Sequence, residues 1–416
     1  MTITWKQNTN PNLITDQLEN AKIITKDGNL SFKAFDYDIY STLLFNILEF
    51  PIHISEADAR EMISNSIRNH NPTVRITPQS VKDRLNNQEG KFSSLPYKRY
   101  VLASKISINP IIKLERIYLG NKQIFVEQNL PSQFNQKPRE ELLKNASAYV
   151  YGEFPKNYSQ IRIYVSSQSI YDAADRALES CDFLRGIWNW VINRTFTFRK
   201  TLGGNLKPIN KIILGPIHTL HYTDGNLIKE NIWWYEPGYQ GAITPYNPDQ
   251  ENLNVLMKSQ VNIRKSINKL HYSNDLTSAF IRYARALDSK DYLSSFLKLW
   301  GILEFLTNTH NEPGRDVTVR RVASLYEERE FHVQILKILK EFRNSYVHSG
   351  KESNELEFYL VRLKNYVDTM LHFHVTNKFH FASIEKASEF LDITTNKDVF
   401  SYQLKLYNYA KKFRHF

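Results

Sequence analysis

The spacing of apolar positions gives the chain three textures. Between residues 34 and 88 apolar side chains recur at helical intervals. Ser55 stands where an N-cap is needed, ahead of Ala57, Ala59, Met62, Ile63 and Ile67. From 97 to 166 the pattern changes to short runs rich in β-branched and aromatic residues, at 100–108, 115–118, 147–151 and 160–165. Pro, Gly and Asn separate these runs, which predict strands. Ile170, Ala173, Ala174, Ala177, Leu178, Cys181 and Leu184 then recur at three and four residues, which predicts an amphipathic helix over about 169–191. Two further strands are expected at 211–214 and 217–222, followed by an aromatic stretch at 232–235. Pro237, Gly238, Gly241, Pro245 and Pro248 interrupt all periodicity, and a domain boundary is placed near 250.

Beyond 250 no segment reads as a strand. Helices are expected at 251–270, 274–288, 291–308, 316–327, 329–347, 354–376 and 395–413, and no repeat of 20 to 50 residues is found. The fold class expected is α+β. An N-terminal domain, 1–250, mixes helices with an antiparallel sheet, and an all-helical C-terminal domain spans 251–416.

Composition narrows the function. A chain of 416 residues, 42% hydrophobic and 13% aromatic, has enough apolar surface for two or three cores. The formal net charge of +11 attracts polyanions, nucleic acid first. A single cysteine, Cys181, excludes an intrachain disulfide and a four-cysteine zinc site, and its helical surroundings mark it as a small core residue. The polar start of the sequence has no apolar signal core, and no apolar run is long enough to span a bilayer. A cytoplasmic protein without membrane partners is expected. Walker loops, Gly-rich dinucleotide fingerprints, Gly-x-Ser-x-Gly elbows and His-Glu-x2-His motifs are absent from the sequence, so no cofactor or catalytic metal is expected.

The segment Glu341-Phe-Arg-Asn-Ser-Tyr-Val-His-Ser-Gly350 carries the most chemistry. Arg343 and His348 form an Arg-x4-His pair, with Asn344 beside the arginine. A histidine takes a proton from a ribose 2′-OH or gives one to a leaving 5′-oxygen. An arginine grips a phosphate through two donors and holds the charge that builds in the transition state. RNA supplies its own nucleophile, so no metal is required. The bare spacing is a weak signal, because 22 arginines and 12 histidines in 416 residues give chance matches, and Arg264 with His271 meets a looser version by accident. Context strengthens the first pair: both residues fall in the last turns of an expected helix that Gly350 can terminate. Positions five apart on a helix point about 140° apart. One phosphate reaches both if the helix loosens there, or if two chains contribute to one groove.

Residues 275–375 resemble the Apea-like HEPN domain of bacterial defence and stress proteins. The resemblance runs through four parts in order. They are an aromatic helix with a glutamate, Phe296-Leu-Lys-Leu-Trp-Gly-Ile-Leu-Glu-Phe-Leu306; a basic helix, Val317-Thr-Val-Arg-Arg-Val-Ala-Ser-Leu325; the segment from Ile335 to His348 with its Arg-Asn-x3-His signature; and Ser349-Gly350 followed by a long amphipathic helix. It implies a four- or five-helix bundle that dimerises with two motifs facing each other. It also implies metal-independent endoribonuclease activity that leaves a 2′,3′-cyclic phosphate, used in anti-phage abortive infection, with the N-terminal domain restraining the nuclease or sensing a trigger. The alternative is a HEPN module without catalysis that binds RNA or a protein partner, or only dimerises the chain.

Other positions carry competing readings. Glu304 lies between Leu303, Phe305 and Leu306 on or beside a buried stripe. A salt bridge to Arg343 or Arg320 is the first expectation and catalysis the second. Arg320 and Arg321 form either a solvated helix face or contacts to RNA phosphates. Tyr346 either packs or stacks on a base. His218 and His221 lack a third metal ligand at a sensible spacing, and His372 and His374 point to different faces of a helix. Trp233 and Trp234 suit core packing or a ligand surface.

Overall fold

The structure is a computed structural model. It describes residues 2–51, 53–112, 114–150, 154–196, 208–229, 232–309, 316–349 and 355–415, with 34 and 347–349 described as backbone alone. It is a mixed α+β fold in which every paired strand among the described residues runs antiparallel to its neighbour.

The first 93 residues build a small helical unit. In chain order it contains β1 (Thr4–Trp5), α1 (Pro11–Ala21), β2 (Lys22–Ile24), β3 (Leu30–Phe32), α2 (Ala34–Ile47), β4 (Leu48–Glu49), α3 (Glu56–Arg68) and α4 (Pro78–Ser93). Ser55 caps α3 as its position predicts, accepting from the Asp58 amide at 3.1 Å. Thr77 and Ser80 form a reciprocal capping box at the start of α4. Ile3, Leu18, Leu44, Met62, Ile63, Val81 and Leu85 close a core of their own.

The sheet layer follows with β5 (Lys98–Ile106), β6 (Ile117–Leu119), β7 (Lys122–Glu127), α5 (Lys137–Ser147), β8 (Ser159–Ser167), α6 (Ile170–Ile192), β9 (Ile217–Tyr222) and β10 (Trp234–Tyr235). Six strands lie in the order β10-β9-β5-β8-β7-β6. Two expectations fail here. Residues 147–150 are not a strand, and Tyr151 lies outside the described residues: Ser147 ends α5, and the residues after it form a turn closed by the Tyr149 amide on the Ala146 carbonyl. The 211–214 run makes only an isolated bridge, Leu214 to Ile106.

The third part is helical: α7 (Gln250–Asn268), α8 (Ser273–Leu287), α9 (Tyr292–Leu306), α10 (Val317–Ala323), α11 (Arg329–Ser349), α12 (Leu356–Thr376), α13 (Ile384–Leu391) and α14 (Lys397–Phe413). All seven helices expected beyond residue 250 are present, and α13 is additional. Phe280, Tyr283, Phe296, Leu299, Leu303, Val322, Leu336, Leu363, Val367 and Met370 fill the centre of this bundle. No helix of the described residues is long and apolar enough to cross a membrane.

Helix α6 belongs to two cores. Ala173, Ala174, Ala177, Cys181, Leu184 and Trp188 pack under the sheet, while Phe183, Ile187 and Trp190 pack into the helical bundle. Cys181 is buried, as expected of a core residue, and burial pushes its thiol up to about 12.

Candidate functional site

The site is assembled from α9 and α11. Both helices turn an apolar stripe inward, Phe296, Leu299 and Leu303 on one and Leu336 and Leu339 on the other. Phe296 and Phe342 meet edge to face at 5.0 Å between ring centroids. That packing brings the outer flank of α9 beside the C-terminal half of α11. Arg343 Nη2 lies 3.7 Å from Glu304 Oε1, and Arg343 Nη1 donates to Asn344 Oδ1 at 3.1 Å. The indole Nε1 of Trp300 donates to Glu304 Oε1 at 2.8 Å, one helical turn below it. Sequence reasoning missed Trp300, although its i, i+4 spacing to Glu304 was the available signal.

Glu304 is not buried as its apolar neighbours suggested. Its side chain keeps 35% of its exposure and that of Arg343 37%. Leu303 and Leu306 take the inward positions, and Glu304 sits one helical step off that stripe, on the flank facing Arg343. A carboxylate held by an indole and set beside a guanidinium can fix the direction of that guanidinium while leaving it open to solvent. An open guanidinium of this kind can bind a phosphate.

On the same side of α11, Lys340 binds Asp316 at 2.5 Å, at a residue with left-handed backbone (φ 66°) just before α10. Tyr346 is half-buried three residues beyond Arg343. Helix α11 runs unbroken through Ser349, so position 348 is in its last turn. The side chain of His348 lies outside the described residues.

The two arginines of α10 take different places. Arg321 is fully buried. Its Nε and Nη2 engage both oxygens of Asp392, and its Nη1 donates to the Thr307 carbonyl at 2.6 Å. Neither reading of Arg321, solvated helix face or RNA contact, matches this position: its guanidinium faces inward and ties α10 to the chain just after α9 and α13. Arg320 is exposed and shares the Asp392 carboxylate through Nη2 at 2.8 Å.

The remaining candidates have structural partners. His218 Nδ1 is 2.7 Å from Ser104 Oγ, and its Nε2 lies 3.4 Å from Glu236. His221 donates through Nδ1 to the Gly225 carbonyl at 2.8 Å, with Nε2 2.9 Å from the Thr219 hydroxyl. His374 is buried and donates through Nε2 to the Leu306 carbonyl at 2.9 Å. Trp233 packs on Tyr149 at 6.2 Å between ring centroids.

A buried polar network that sequence reasoning did not foresee joins the sheet layer to the bundle. Arg185, fully buried on α6, binds Asp182 at 2.5 Å and Asp288 at 3.0 Å. Arg285 of α8 binds Asp182 at 2.5 Å and also Glu236, which follows β10. Burial works against ionisation of Glu236, but His218 and Arg285 outweigh it and hold the carboxyl down at about 2.

The chain matches no family model, no curated protein and no solved structure.

Proposed function

We propose that the chain is a metal-independent endoribonuclease of the HEPN class, with Arg343 and His348 as its catalytic pair. The observation that carries this reading is the setting of Arg343. It is half-exposed on α11, with Glu304 alongside, and Trp300 in turn holds Glu304. That is a built position for a phosphate-binding guanidinium and not a stray surface charge. Asn344 bonds the same guanidinium and helps to orient it.

In the proposed reaction the ribose 2′-oxygen attacks the adjacent phosphorus as His348 takes its proton. The P–O5′ bond breaks, the 5′-oxygen takes a proton from water while His348 returns its own to solvent, and the products are a 2′,3′-cyclic phosphate and a 5′-hydroxyl. Arg343 holds the charge on the non-bridging oxygens. Because α11 stays helical through Ser349, positions 343 and 348 of one chain point about 140° apart. We therefore assign the working groove to two chains, each contributing to it along α11, in a C2 homodimer. Residues 1–250 would sense a phage-derived trigger or restrain cutting, residues 251–416 would cut, and abortive infection would be the outcome.

The test is expression of the wild type beside His348→Ala, with purified protein assayed on RNA in excess EDTA. Wild type should cut RNA and not DNA, leave cyclic phosphates, and lose roughly 10²–10⁴-fold in rate on substitution. Retained RNA binding with no cleavage by wild type under any condition would favour the binding module instead. Activity lost in EDTA and restored by magnesium would remove the metal-free mechanism.

A further inference from the structure

Helix α14 is out of keeping with the rest of the molecule. It is 17 residues long, and not one of them is buried. Its caps are nevertheless well formed, with Asn396 accepting from the amides of Asp398 and Val399. Val399, Phe400, Tyr402, Leu406, Tyr407, Tyr409 and Phe413 all face solvent, between 44% and 84% exposed. A water-facing helix normally carries scattered apolar residues, not an ordered set.

The order lies in the spacing. Val399, Tyr402, Leu406, Tyr409 and Phe413 follow one another at intervals of three, four, three and four. This is the a/d stripe of a heptad repeat, the pattern that seats one helix against another. Asp398, Lys405 and Lys412 fall at the flanking g positions. Phe400 and Tyr407 widen the stripe on its other side, and Leu404, at an f position and 50% exposed, lies off it.

We propose that this face pairs with the same helix of a second copy of the chain, in antiparallel orientation. Two arguments fix the occupant. The first is area. At roughly 150–200 Å² per large side chain, the seven residues expose on the order of 700 Å², close to the ~800 Å² per partner of a standard interface. The second is charge. Lys397 and Asp398 open the helix with no net charge, and Lys411, Lys412 and Arg414 close it. Parallel pairing would gather six cations at one end. Antiparallel pairing separates those ends by about 25 Å, sets Asp398 of each copy beside Lys412 of the other, opposes the two helix dipoles, and leaves Lys405 of each copy opposite its counterpart as the one like-charge contact of the g rows. In that register Tyr402 of one copy lies against Leu406 of the other, and Val399 against Tyr409. The surface is isologous, as a twofold dimer requires. This pairing does not rest on the ribonuclease reading, and its test does not use cleavage.

The experiment uses two full-length variants, Tyr402→Cys and Leu406→Cys. Neither position is buried, so both should melt with the wild type, and a thermal melt checks this. The native Cys181 is buried, with its thiol pushed up to about 12, and stays silent. Under mild oxidation the mixture should give a reducible disulfide dimer as its main product, while each variant alone gives less than about a tenth as much. Equal dimer from each variant alone would overturn the antiparallel register. No dimer in the mixture would overturn the pairing itself. If the wild type in that case floats with phosphatidylserine–phosphatidylcholine vesicles, α14 is a surface helix for anionic lipid.

Discussion

At the scale of single residues, Arg343 and Glu304 show how far a sequence can be read. Their pairing was one of two expected partnerships, because a glutamate beside an apolar stripe needs a cation. Its depth was misjudged: apolar neighbours in sequence say little about which side of a helix a residue takes. With both partners about a third exposed and 3.7 Å apart, the pair contributes little to stability. Arg343→Ala should therefore cut cleavage by roughly 10²–10³-fold while changing stability by less than about 1 kcal/mol. Glu304→Gln should lower the height of the pH–rate profile and leave its limbs in place, because the residue positions Arg343 and carries no proton. A stability loss of several kcal/mol in Arg343→Ala would show that the pair is a buried strut. The Arg320–Arg321 pair was legible only as charge. Adjacent residues on a helix point about 100° apart, and the acceptor that draws Arg321 inward, Asp392, is 71 positions away.

Two buried histidines make a further prediction at this scale. Burial, opposed by hydrogen bonds to the carbonyls of Leu306 and Gly225, holds His374 and His221 down at about 4; the charge of Arg139 adds to the effect on His221. Both are neutral in the folded chain where the unfolded chain begins to protonate, near 6.5. Their contribution is complete above that pH and is lost as pH falls from 6.5 towards 4, by up to about 3 kcal/mol each. His374→Gln keeps a donor for Leu306 and cannot titrate. Its denaturation midpoint should start lower at pH 7 and fall less steeply below 6.5, with a slope smaller by about one proton. An unchanged slope would mean that His374 already titrates near 6.5 when folded.

At the scale of elements, helices were more legible than strands. The seven helices beyond residue 250 announce themselves by 3.6-residue periodicity and, at Asp249 and Asp291, by capping side chains. The eight-residue α13 was too short to show a period. In the sheet, β-branched composition marked β5, β8 and β9, but the placing of β9 beside β5 depends on register between residues more than a hundred apart. The same composition misled at 147–151, where the turn after α5 won. Periodicity also cannot show close approach. Gly186 on α6 faces the backbone of Phe280 on α8, and a Cβ there would overlap the Phe280 carbonyl. Gly186→Ala should destabilise the fold by about 1–3 kcal/mol through overpacking. Urea denaturation measures this, and a neutral result would mean that α6 and α8 separate at no cost.

At the scale of the whole molecule, the composition break near 250 says little about how the parts are held together. Helix α6 lies before that break, yet one of its faces completes the sheet core and the other completes the bundle core. Between the two, Arg185 is fully buried with Asp182 and Asp288 as its partners, and Arg285 extends the network to Glu236. Such a network resists partial separation, because moving the sheet layer from the bundle strands charges away from water. Replacing Arg185 by Ala takes the shared cation from the buried Asp182, which keeps Arg285, and from the half-buried Asp288, and should cost about 3 kcal/mol. It follows that the sheet layer and the bundle should unfold together. Calorimetry of the wild type should show one transition spanning both, with Trp188 and Trp190 fluorescence changing at the same temperature as helix content. Residues 251–416 expressed alone would expose the α8 face that α6 covers and should aggregate. Two resolved transitions, or a soluble and cooperatively folding 251–416 fragment, would show that the bundle is independent and that α6 is only docked against it.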